Sequence, residues 1–117
     1  MRTPEKLLFE GKVVAKLHNF SYETPWASAS PEFLEASLGK KLENLAAFRV
    51  FDQDLEDKGL PDDKENVLWE SKLSELGLSY PDLKLDKDGF WRVICSNGQA
   101  YEARSVSYSG GVLRWRA

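Results

Sequence analysis

His18 is the only imidazole in the chain and Cys95 the only thiol. An imidazole acts as a general acid or base when a carboxylate orients it, and Glu23 could return toward His18 across the following turn. With Tyr22 and Trp26 close in sequence, those residues outline one conceivable small-ligand pocket. A reactive cysteine needs partial exposure and nearby positive charge. Cys95 instead alternates with Trp91 and Val93, which predicts burial in a strand. One cysteine and one histidine build neither an internal disulfide nor a Cys/His zinc site.

Acidic clusters offer the other route to chemistry. Asp82, Asp86, Asp88 and Gly89 suggest a calcium loop until Gly89 is aligned with its obligatory glycine. Lys84 then takes the first ligand position and Cys95 takes that of the bidentate glutamate, so the match fails at both ends. An Asp- and Gly-rich turn is the expected reading. Asp52, Asp54, Glu56 and Asp57 read as the solvated end of a helix. No G-x-S-x-G elbow, P-loop or G-x-G-x-x-G stretch occurs. No catalytic residue, metal ligand or cofactor is therefore assigned, and recognition is the expected occupation of the molecule.

Charge is unevenly distributed. Residues 1–51 carry a net +1, residues 52–88 a net −7 and residues 89–117 a net +3, giving the overall −3. Regional charge of this kind steers partners and accelerates encounter. Asp62, Asp63 and Glu65 lie in the acidic region together with Trp69, which stands about 100° from Leu68 round the helix and is expected to be an exposed aromatic anchor. This predicts a protein partner of basic character. The third region holds Arg92, Arg104, Arg114 and Arg116 against Glu102 alone. If Trp91, Val93, Cys95, Tyr101, Leu113 and Trp115 point inward, these arginines share the opposite sheet face with Phe90, Ile94 and Val106. Arginines beside a stacking ring make nucleic-acid or anion binding the alternative function. The acidic pI of 5.2 disfavours such binding by the chain as a whole.

The elements that must position these residues follow from pattern. Residues 11–20 alternate as a strand, with Val13, Ala15 and Leu17 on one face and Lys12, Lys16 and His18 on the other. Val14 and Phe20 fall on the charged side. Tyr22-Glu-Thr-Pro-Trp26 breaks the strand, and a short return strand begins at Trp26. Ser30-Pro31 predicts a helix opening, with Ser30 as N-cap and Pro31 in the first turn. Leu34, Leu38, Leu42, Leu45 and Phe48 make a helical stripe. Gly39 within it leaves open a division into two helices, and residues 47–51 fit either a strand or a helix. The spacing of Asp62 and Glu65 predicts a cap at Asp62 or Asp63, and Gly77 a C-terminal stop. From Leu83 onward strands and tight turns are expected, with a type I′ hairpin at Asn97-Gly98.

One α+β domain spanning residues 1–117 is expected, with N-terminal strands, a helical middle and a C-terminal antiparallel meander packed on the helices. The Pro-Trp turn after the first strand and the closing Leu113-Arg-Trp-Arg116 resemble small uncharacterised bacterial α+β proteins, some of them immunity-like. That resemblance implies a non-catalytic partner-binding protein and carries over no catalytic residue. Without a secretory apolar stretch of about 7–15 residues or a span of about 20, a cytoplasmic location and no membrane contact are expected. A homodimer through a sheet edge or the arginine face is compatible with all of these readings.

Overall fold

The computed structural model describes residues 3–116. Three strands come first: β1 (Pro4–Phe9), β2 (Lys12–Glu23) and β3 (Trp26–Phe33). Two helices follow, α1 (Ala36–Asp57) and α2 (Asp62–Glu75), then a short 3-10 turn at Tyr80–Lys84. The chain closes with β4 (Trp91–Cys95), β5 (Ala100–Glu102), β6 (Arg104–Ser109) and β7 (Val112–Arg116). This is the expected α+β order.

Among the described residues the strands form one antiparallel sheet in the order β5-β4-β1-β2-β3-β7-β6. The C-terminal strands thus reach both flanks of the N-terminal three. The two outermost strands, β5 and β6, are separated in sequence by Ala103 alone. Two steps of about 3.8 Å are all the chain has to join them, so the sheet must curl round on itself. Ala103 is fully buried there, and its N–H donates to the Trp91 carbonyl at 3.0 Å.

Leu7, Ala15, Leu17, Ala27, Val93 and Leu113 line the inner face and join Leu42, Leu45 and Phe48 of α1 and Leu73 of α2 in one core. Trp91 and Trp115 are fully buried in it, and Cys95 is buried as the alternation implied. Trp91 donates its indole N–H to the Leu85 carbonyl at 2.6 Å. Arg49 of α1 grips Asp86 through two nitrogens at 2.9 and 3.0 Å and also reaches the Leu83 carbonyl. This fork ties α1 to the segment entering β4.

Several local expectations are corrected. Ser30-Pro31 does not open a helix: β3 runs on to Phe33, pairing Leu17 with Pro31 and Ala15 with Phe33. β7 accompanies β3 only as far as Ala29, so the proline sits where one flank of the strand has no partner, a place a strand tolerates it. Helix α1 begins after Glu35 and passes unbroken through Gly39 and residues 47–51. Leu83-Lys-Leu85 belongs to the 3-10 turn and its exit rather than to a strand. At Asn97-Gly98 only the glycine has positive φ, and its N–H closes a turn onto the Cys95 carbonyl. The two-residue I′ geometry appears instead at Glu10-Gly11 and Gly110-Gly111, where φ is positive at Glu10 (51°) and at all three glycines.

Two bulges reverse predicted faces. Asn19, at φ 55°, interrupts the register between His18 and Ser21. Phe20 thereby leaves the charged side and packs near Trp115, with ring centroids 6.2 Å apart. Ser105, at φ 52°, does the same between Arg104 and Ser107, its N–H held by Asp88 at 2.8 Å. Val106 consequently points into the core instead of sharing the arginine face.

Candidate functional site

Helix α2 carries two apolar strips. Trp69, Leu73 and Leu76, spaced i, i+4 and i+7, face the core, and Trp69 packs edge-on against Phe48 at 5.2 Å and beside Tyr80. Trp69 is therefore not the exposed anchor expected: seven residues turn a helix through about 700°, which brings Trp69 and Leu76 onto the same face. Val67 and Leu68 lie outward instead, with 68% and 43% of their surface exposed. With Leu60, Asp63 and Lys64 they line a shallow hollow of about 470 Å³.

The hollow lies along the acidic start of α2. Asp62, Asp63 and Glu65 occupy the first turn of α2. No side-chain capping bond forms there, and Pro61 rather than either aspartate holds the cap position, correcting the predicted box. These carboxylates still complement the positive end of the helix dipole. At the other side of the Lys58–Pro61 connection α1 ends in Asp54, Glu56 and Asp57, with no basic residue in its last turn. There the carboxylates meet the negative end of a helix dipole, an arrangement that opposes helix stability.

The helix C-terminus of α2 is conventional by contrast. Gly77, at φ 68°, lets its own N–H reach the Ser74 carbonyl and that of Leu78 reach Leu73, a Schellman closure matching the predicted stop. The capping box appears one element later, where Asp82 accepts the Ser79 N–H at 2.9 Å and its hydroxyl at 3.0 Å. Lys41 reaches the same carboxylate at 3.2 Å. Tyr80 donates its hydroxyl to Glu70, which raises the phenol pKa. Asp82, Asp86 and Asp88 accept from Ser79, Arg49 and Ser105 respectively.

On the sheet, Arg104, Arg114 and Arg116 converge as expected, on the outer surface of β6 and β7. Arg104 lies directly opposite Arg116, and Arg116 directly opposite Trp26 of β3. Arg92 stands apart on β4, paired across the strands with Glu102. Phe90 is no open stacking platform: it is half-buried against Phe9, with the Lys84 ammonium 6.0 Å from its ring centre.

His18 sits on the open outer face of β2, 56% exposed, with its Nε2 3.4 Å from Glu32 on β3. Its carboxylate neighbour is Glu32, not Glu23, which pairs in register with Trp26. A more enclosed cleft, of about 460 Å³, lies between α1 and β6, with Leu42, Val50, Val106 and Ser107 among its walls. The Arg49–Asp86 fork at its margin is internally satisfied. The pattern reading missed this fork, whose partners are 37 residues apart. It also missed Leu60 and Val67, for which the i, i+3, i+4 spacing of Lys64, Val67 and Leu68 was the available signal.

No protein-family model, curated protein or solved structure matches the chain. Among the described residues no helix is long and apolar enough to cross a membrane.

Proposed function

We propose that this protein is a non-catalytic interaction module that captures a basic protein through the acidic junction of α1 and α2, in the manner of a neutralising, immunity-type partner. The carrying observation is the pairing of unfavourably placed charge with exposed apolar surface. Asp54, Glu56 and Asp57 gather at the wrong end of a helix dipole, one short connection before a hollow lined by Asp63, Lys64, Val67 and Leu68. A lysine- or arginine-rich segment bearing one apolar side chain would relieve the first and fill the second. Charge complementarity then sets the rate of encounter, and apolar contact slows release.

The test uses two variants with opposite effects on the isolated protein. Reversal of Asp54 and Asp57 to lysine should raise its stability in urea by about 0.3–1 kcal/mol per site, because cations suit a helix C-terminus. Reversal of Asp62 and Asp63 should lower it by a similar amount. Both should slow association with the basic protein captured by the wild type, by about tenfold at low salt. V67S/L68S should leave association nearly unchanged and speed dissociation. Capture retained at full rate and lifetime by all three variants refutes the proposal.

A further inference from the structure

The outer surface of β3, β6 and β7 has a composition that the acidic junction does not explain. One row across the strands reads Glu23, Trp26, Arg116, Arg104; the next reads Ser21, Ser28, Arg114, Ser107. Like charges placed directly opposite each other on a sheet are destabilising. Arg104 and Arg116 are so placed, and among the described residues neither they nor Arg114 make a side-chain hydrogen bond or an ion pair. Glu23, at the end of the first row, makes no ion pair with them. Trp26, 44% exposed, lies next to Arg116 instead of joining the core. The serines are short, so the arginines and the indole stand above a shallow hydroxyl-bearing floor.

We propose that this face binds single-stranded nucleic acid. The three guanidiniums would take successive phosphates, the serine hydroxyls would donate to the same oxygens, and Trp26 would stack on one base. An exposed planar ring beside unpaired cations favours this ligand over an acidic polypeptide, which supplies carboxylates but no base to stack. The face shares no residue with the α1–α2 junction, so either assignment can fail alone.

Fluorescence anisotropy of a short labelled oligo(dT), titrated with the full chain at several salt concentrations, tests the assignment. Binding at low salt is expected, weakening with a logarithmic salt slope of about −2, or roughly −0.7 for each phosphate contacted. R104Q, R114Q and R116Q should each flatten that slope by about 0.7. W26A should weaken binding by at least about fivefold with the slope unchanged, since stacking carries no charge. These residues are exposed, and unaltered circular dichroism of the variants secures the comparison. Absence of binding at low salt, or binding indifferent to the arginine substitutions, overturns the proposal. Indifference to W26A, or displacement by poly-glutamate as readily as by unlabelled oligonucleotide, also overturns it, in favour of an acidic protein surface.

Discussion

Asp82 concentrates several interactions in one carboxylate. Burial pushes its pKa up, yet the two bonds from Ser79 and the charge of Lys41 outweigh that and hold it below its ordinary value of 3.8. A depressed carboxylate pKa contributes stability that is complete above the unfolded value and lost as pH falls through the folded one. D82N should therefore lower stability near neutrality by about 1 kcal/mol, with the gap from wild type closing as pH falls below about 3.8. Parallel urea titrations across that range check it, and a gap constant in acid would assign the effect to lost packing. None of this was legible beforehand, because Asp82 stood in a run of aspartates whose partners Lys41 and Arg49 come from α1, with all of α2 in between. The buried tryptophans were legible: Trp91 and Trp115 alternate with Val93 and Leu113, and period-two patterning survives wherever a strand has no bulge. Trp69 was legible too, since its i, i+4, i+7 spacing with Leu73 and Leu76 puts the three on one face, against the competing strip of Val67 and Leu68.

At the scale of elements, Gly39 shows why a propensity argument can point the wrong way. Glycine costs a helix about 1 kcal/mol against alanine, which invites a break. The helix continues because β3 crosses so closely that a Cβ at this position would lie 2.7 Å from Cδ2 of Phe33. That ring is itself held edge-on by Tyr108 at 5.2 Å. G39A should consequently destabilise by about 1 kcal/mol despite its better propensity, as crowding of roughly 1–3 kcal/mol outweighs the helical gain. An increase in melting temperature would show instead that Phe33 moves aside freely. The bulges at Asn19 and Ser105 teach a related lesson. Each inserts one residue, returns an apolar side chain to the core and re-aims the polar residues that follow. Asn19 gave a weak sign of this, being a residue type that tolerates left-handed backbone. Ser105 gave none, and depends on the distant carboxylate of Asp88.

Across the whole molecule the charge computed along the chain becomes charge separated in space. The acidic groups of α1 and α2 crowd a helical junction, and the arginines of the last strands share the outer sheet. The described residues span 52 by 29 by 23 Å, so the molecule has room for two surfaces of opposite sign. Class and element order could be read from turns and periodicity, both local signals. Strand order could not, because nothing in β1 or β3 announces that β4 and β7 will flank them. That flanking arrangement has a consequence for synthesis on the ribosome. The first three strands emerge with both lateral edges bare, and those edges stay bare until residues 91–116 have left the exit tunnel. Until then a nascent chain carries two open templates for pairing with its neighbours.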